Sequence, residues 1–363
     1  MRCLKNLSGY ALDSVDTERR LADLLYTCVI ELVIVCGMYR LVSAMILCPV
    51  KDTKLTHVAD RSVVVAPFAV SVVKSSCRRP GNAVIVGDLR RRSAADAVNF
   101  SVCVPPIFGN FNDVQDLVEF IEVYRVLGVQ KFQIYVSSVG PQLDRCLQEY
   151  VRRDIVDVQS WVLPASVSGI IYYSGQILAI NECLYRLMYR TRYVVIQDLD
   201  EFVVPMRSDS WQSMLDIIHK HMMTDSDRIA SYNFQHRFFP TELPKATSIT
   251  PADGIKRRQF KTLSVMKADE FLFPYTDRSK VMVRPERLII FHVHLILDSS
   301  LVRIGDINAR VDPQYGQLFH YRRGMNISRT TSVSRMKTFE ESILRRLYVA
   351  TAAVCLTGDY QYP

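Results

Sequence analysis

Asp198-Leu199-Asp200-Glu201 is the stretch of this sequence best suited to chemistry. It follows the apolar run Tyr193 to Ile196, which reads as a buried strand. In open α/β sheets, ligands gather beyond the carboxyl ends of the strands. Three carboxylates this close repel one another unless a cation is present. A hard divalent ion such as Mn²⁺ or Mg²⁺ takes one or two carboxylates plus phosphate oxygens. A site of that kind binds a nucleoside diphosphate and stabilises it as a leaving group. The other reading is a solvated acidic turn, because a DxD pattern is common by chance.

Two further clusters stand out. His292-Val293-His294 follows the strand-like run Leu288 to Phe291. Alternate residues of a strand share a face, so one imidazole could complete a metal shell; a structural histidine is the plainer reading. His320-Tyr321-Arg322 is the second, and the guanidinium of Arg322 suits phosphate. DxD after a strand also opens the haloacid-dehalogenase phosphatase motif, with Asp198 as nucleophile. That motif wants a small hydroxyl or β-branched residue two positions after the second Asp, and Phe202 stands there. Walker A, GxGxxG and GxSxG patterns are absent.

The elements that must position these residues alternate. Phe100 to Pro105 reads as a strand, and Asp113 to Leu127 carries apolar residues at helical spacing. Phe132, Ile134 and Val136 alternate as a strand. Leu143 to Val151 returns to helical spacing, and Val156 and Val158 read as a strand again. Ile180 to Leu187 and Trp211 to Met222 are helical. Val281 to Val283 and Leu288 to Phe291 read as strands, and 337–350 as a closing helix. Strands alternating with helices predict an α/β fold around a mostly parallel sheet.

Of 363 residues, 49% are hydrophobic and 23% charged, which excludes a wholly disordered chain. The net charge is +8, and residues 1–95 carry 14 Lys/Arg against 8 Asp/Glu. This charge is scattered, with no aromatic interleaving, so it reads as a solvated face and no nucleic-acid partner is expected. The nine cysteines show no CxxC pair, which argues against a zinc ribbon. Residues 24–50 are very apolar, though Glu31 and Arg40 interrupt them. They read either as core elements or as a poor signal anchor. Asn6, Asn99 and Asn326 head glycosylation sequons.

Several segments, in order, resemble a known family. They are Phe100-Ser101-Val102-Cys103-Val104-Pro105-Pro106, Val118-Glu119-Phe120-Ile121-Glu122 and Tyr173-Ser174-Gly175-Gln176. Ala179-Ile180-Asn181-Glu182-Cys183-Leu184 and Gln197-Asp198-Leu199-Asp200-Glu201-Phe202 follow. Arg278-Ser279-Lys280-Val281, Arg284-Pro285-Glu286 and His320-Tyr321-Arg322 complete the set. Together they resemble glycosyltransferase family 92 over about residues 99–325.

The resemblance implies a GT-A-type fold, with a small β-rich region before it. The implied layout is a possible membrane anchor in 1–40, an accessory region in 41–98, the transferase domain in 99–330, and a helix and tail in 331–363. It also implies a metal-dependent inverting transferase using Mn²⁺ or Mg²⁺ and a UDP-sugar donor, such as UDP-galactose. The acceptor would be a glycan or glycoprotein, such as fucose on an N-glycan core. Asp198, Asp200 and His294 would hold the metal; His292 stands where the family usually has a small residue. Gln176, Asn181, Asp198 and Arg322 would meet the donor, and Asp198, Asp200 and Glu201 would serve catalysis. Asp253, Asp269 and Glu270 are candidate bases on the acceptor side. The implied location is a single-pass Golgi membrane protein with a lumenal catalytic domain. A phosphatase and an inactive glycan-binding relative are the competing functions.

Overall fold

The computed structural model describes residues 97–350, except 165–170, 223–224, 243–259, 276, 292, 295, 297–304 and 326, together with six short strands nearer the N-terminus. The chain divides into two compact units, Met1–Arg92 and Ser93–Pro363. In the first, β1 (Glu31–Ile34) pairs antiparallel with β2 (Ala44–Leu47). β3 (Thr56–Val58) pairs with β4 (Arg61–Val63), and β5 (Ala69–Val70) with β6 (Val84–Ile85). Part of the apolar run 24–50 thus forms a two-stranded ribbon, and the rest of it lies outside the described residues. Among the described residues no helix is long and apolar enough to cross a membrane.

The second unit is α/β. Its first half runs β7 (Val98–Ile107), α1 (Val114–Val126), β8 (Lys131–Val136), α2 (Pro141–Arg152), β9 (Val156–Ser160), α3 (Gln176–Leu187), β10 (Thr191–Ile196), β11 (Glu201–Pro205) and α4 (Trp211–His221). Local chemistry sets the boundaries. Asp113 caps α1 by accepting from the Asp116 amide at 2.9 Å. Pro141 opens α2, where its missing N–H costs nothing. The apolar stripe of α1, from Leu117 through Tyr124, is buried.

The second half runs β12 (Ile229–Phe234), β13 (His236–Pro240), α5 (Lys261–Ser264), β14 (Lys267–Asp269), β15 (Lys280–Val283), β16 (Ile307–Arg310), β17 (Gly316–Arg322), β18 (Thr330–Ser332) and α6 (Glu340–Ala350). The central sheet has seven strands in the order β16-β12-β15-β10-β7-β8-β9. β10, β7, β8 and β9 are parallel, and β15 runs antiparallel to both its neighbours. The mostly parallel sheet expected from the alternation is therefore present. A second sheet, β11-β17-β13, pairs β17 antiparallel to β11 and parallel to β13.

Phe100, Tyr124, Tyr193, Phe202 and Trp211 pack ring against ring in the main core. A smaller core holds Ile180, Leu184, Val194 and Val283, and there a disulfide joins Cys103 of β7 to Cys183 of α3.

One expected element differs. Leu288 to Phe291 forms no strand; a 3₁₀ turn over Pro285–Arg287 leads into it instead. Its backbone polar groups are met by side chains. Asn181 accepts from the Phe291 amide at 2.8 Å and donates to the Phe291 carbonyl at 3.0 Å. Tyr185 donates to the Ile289 carbonyl at 2.6 Å. An apolar run needs no ladder when its peptides are paired this way.

Tyr124 connects this core to β11. Its hydroxyl donates to the Glu201 carbonyl at 3.0 Å and accepts from the Val203 amide at 3.0 Å, both within the buried interior. Tyr124→Phe should therefore cost about 1–3 kcal/mol, the range for leaving a buried amide unpaired. Chemical denaturation of the purified variant measures this. A loss under a few tenths of a kcal/mol would show that the hydroxyl bridge contributes nothing.

Candidate functional site

β10 ends at Ile196, beside the parallel strand β7, and the chain turns through Gln197 to Glu201 before entering β11. The Glu201 amide donates to the Asp198 carbonyl at 3.1 Å, closing the turn. The Tyr321 amide of β17 donates to the Asp200 carbonyl at 2.8 Å. Lys261 Nζ donates to the Leu199 carbonyl at 3.2 Å and to Asp116 Oδ1 at 2.9 Å. The acidic turn thus sits at the carboxyl edge of the central sheet, tied to the second sheet and to α1.

Its three carboxylates occupy different surroundings. The side chains of Asp198 and Asp200 are 46% and 38% exposed, while that of Glu201 is only 3% exposed. Lys280, at the start of β15, places Nζ 2.8 Å from Glu201 Oε2 and 3.1 Å from Asp198 Oδ2. The Asp198 amide also donates to Glu201 Oε2, at 3.2 Å. Burial alone would lower the Lys280 ammonium, but Asp198 and Glu201 outweigh it and hold its pKa above the ordinary lysine value.

His320 bridges the other side. Its Nε2 lies 3.3 Å from Asp200 Oδ2 and its Nδ1 lies 3.5 Å from Glu201 Oε1. Burial pushes the Asp200 carboxyl up, but hydrogen bonding and charge from His320, with Lys261 behind, bring it below the usual range. Asp200 is therefore ionised at neutral pH.

His294 donates from Nδ1 to the Ser279 carbonyl at 3.2 Å. Burial, then the charge of Lys280, lowers its pKa. A neutral ring oriented this way keeps its Nε2 lone pair available, the usual arrangement of a metal-binding histidine. Oxygen donors from two half-exposed aspartates and one such nitrogen fit Mn²⁺ or Mg²⁺ in kind. Among the described residues, no three His, Cys, Asp or Glu side chains are gathered closely enough to hold an ion. At Asp198, the Lys280 ammonium occupies Oδ2.

The remaining expected residues are distributed as follows. Asn181 is buried and spends its amide on Ile177 and Phe291. Gln176 is the half-buried first residue of α3, and Arg322 is exposed at the end of β17. Asp269 ends β14 and accepts from the Phe271 amide at 3.0 Å, and Glu270 follows it, exposed. Asp253 and His292 lie outside the described residues.

Sequence reasoning passed over the cations. Lys280 entered only as part of a motif, and its strand neighbours Val281-Met282-Val283 gave no hint of an ion pair. Lys261 and Glu119 also went unnoticed as a pair. Glu119, fully buried, accepts from the Lys261 amide at 3.2 Å, the Thr262 amide at 2.7 Å and the Thr262 hydroxyl at 2.6 Å.

A sequence model of glycosyltransferase family 92 matches residues 98–348. The beta-1,4-galactosyltransferase galt-1 of Caenorhabditis elegans is 34% identical over 107 residues, 29% of this chain and 25% of that protein. The galactan beta-1,4-galactosyltransferase GALS1 of Arabidopsis thaliana is 30% identical over 80 residues, 22% of this chain and 16% of that protein. Each match thus spans a quarter or less of the curated relative. Among solved structures, glucosyl-3-phosphoglycerate synthase from Mycobacterium tuberculosis, in complex with Mn²⁺, UDP and glucosyl-3-phosphoglycerate, gives a TM-score of 0.32 at 14% identity, covering 74% of this chain and 83% of that one. TarS of S. aureus in complex with UDP-GlcNAc gives 0.31 at 12% identity, covering 71% and 68%.

Behind His320 lies His236, fully buried, its ring stacked on Phe273 at 4.3 Å and edge-on to Phe238 at 4.7 Å. Burial, aided by His320, lowers its pKa to about 3. In the unfolded chain the ring titrates near 6.5. Between those values the unfolded state takes up a proton that the folded state refuses. The stability tied to the neutral ring is therefore present above about pH 6.5 and is lost as pH falls toward 3. His236→Phe should flatten that part of the stability profile, read as Tm from pH 7 to pH 4. An unchanged slope would mean that other groups set the acid sensitivity.

Proposed function

The chain belongs to glycosyltransferase family 92, and from that premise we propose that it moves galactose from UDP-galactose to a glycan acceptor, with a divalent ion at the Asp198–Asp200 turn. The observation that carries the reading is the pair of half-exposed aspartates at the carboxyl edge of a mostly parallel sheet. The two curated galactosyltransferases support the choice of sugar. Family membership favours transfer over hydrolysis through an aspartyl nucleophile.

In this reading Asp198, Asp200 and His294 hold the ion, Mn²⁺ or Mg²⁺. When bound, the ion offsets the charge of the diphosphate as the bond to the sugar breaks. The protein's own residues prepare for that event. His320 and Lys261 keep Asp200 ionised. The Leu199 and Asp200 carbonyls, held by Lys261 and the Tyr321 amide, fix where the carboxylates point. Groups held in place before the reaction need not reorganise during it. Arg322, exposed two residues after His320 on β17, suits a phosphate oxygen. The acceptor hydroxyl attacks from the opposite face and gives its proton to a carboxylate.

We place the enzyme in the Golgi, with a lumenal catalytic domain. The buried Cys103–Cys183 disulfide is in keeping with an oxidising compartment.

Thermal unfolding tests the reading. UDP should stabilise the protein only with Mn²⁺ or a similar ion, by about 2.7 kcal/mol at a hundredfold excess over its dissociation constant. Asp200→Asn should remain folded, lose this response and lose about a hundredfold or more in transfer rate, because ~1.4 kcal/mol is tenfold. Equal stabilisation by UDP in excess chelator, or a trapped phosphoaspartate at Asp198, would overturn the proposal.

A further inference from the structure

Three adjacent carboxylates repel one another unless a countercharge is near. The structure shows that the protein already supplies a countercharge. Lys280 is nearly sealed, its side chain 2% exposed. It starts β15, which is flanked by β12 on one side and β10 on the other. Its ammonium approaches the turn from inside the protein. Glu201, 3% exposed, is equally fixed. Asp198 is the one half-exposed member of the trio and has Lys280 on one carboxylate oxygen.

The ammonium of Lys280 is shared between the buried Glu201 and the half-exposed Asp198. Glu201 accounts for the lysine, and the two exposed aspartates face the solvent from which an ion arrives.

We propose that Lys280 is a positioning residue that Glu201 holds against Asp198, and that a divalent ion binds by displacing the Lys280 ammonium from Asp198 while the Glu201 contact persists. The inference rests on the ion-binding reading of the turn given above. It adds that this enzyme's metal affinity is set from inside the protein, by competition between a fixed ammonium and the arriving ion for one carboxylate.

The test separates competition from simple structural support. Lys280→Met alone should lower Tm markedly, because it strands a buried carboxylate. Lys280→Met with Glu201→Gln should recover most of that loss. The double change removes one charge of each sign, so the formal charge of the turn is unaltered. In the double variant the Mn²⁺ midpoint, read from the Tm shift at fixed UDP, should fall about fivefold, equivalent to ~1 kcal/mol of released ion pairing. Lys280→Arg keeps the charge and grips both carboxylates with a fork, so its Mn²⁺ midpoint should rise several-fold. A purely structural lysine would leave both midpoints where they were, and that result overturns the proposal, as does a double variant no more stable than Lys280→Met. If wild-type protein shows no ion-dependent UDP response, the functional reading fails and the exchange fails with it. Recovery in the double variant would then remain as evidence for the Glu201–Lys280 pair alone.

Discussion

Everything at this site depends on how a carboxylate can be kept at the end of a buried strand. A charge removed from water is tolerated only with a partner and with its lone pairs satisfied. Glu201 meets the first condition and half of the second: it receives Lys280 and the Asp198 amide on one oxygen, His320 lies 3.5 Å from the other, and burial still pushes its carboxyl above the usual range. Once Glu201 is fixed, the direction in which β11 leaves the turn is fixed too, and with it the outward placement of Asp198 and Asp200.

That requirement explains why a second sheet is present. β11 must pair with something after it leaves the turn, and β17 supplies both the ladder and His320, which lies opposite Glu201 in the register. β13 then pairs with β17 and brings His236 and Phe238 behind the imidazole of His320. The three-stranded sheet therefore provides the wall that dries Glu201 on one side. β15 provides Lys280 on the other. The antiparallel run of β15 within a mostly parallel sheet puts its first residue, Lys280, at the edge where β10 ends.

The alternation of strands and helices was legible because apolar periodicity is a local property, and β7 through α4 followed it closely. The acidic turn was legible for the same reason: an apolar strand followed at once by carboxylates. The failures were non-local. Leu288 to Phe291 looked like a strand because sequence shows apolarity but not the Asn181 amide, 110 residues away, that takes its peptide groups. Lys280 looked like the polar start of a strand because its partner Asp198 is 82 residues distant. Three adjacent carboxylates do need a cation, and sequence alone does not show that one comes from inside the protein, as Lys280.

The turn is gripped by the same device twice. On one side a buried glutamate, Glu201, secures Lys280, which reaches Asp198. On the other, Glu119 anchors the backbone of Lys261 and Thr262, and Lys261 reaches the Leu199 carbonyl and lies near Asp200. In each case a carboxylate buried from solvent holds a lysine that meets the functional turn, Glu119 by the backbone amide of Lys261 and Glu201 by the ammonium of Lys280 itself. The outcomes differ because the contacts differ. Lys261 holds a carbonyl, so it sets the position of the turn without occupying a ligand. Lys280 holds a carboxylate oxygen, so it sets position and occupies a ligand together. A backbone anchor can stay in place through any chemistry at the aspartates. Under the proposed ion exchange, an ammonium on Asp198 Oδ2 gives way once that oxygen is needed for an ion, so the Lys280 contact is the one that would change as the site fills.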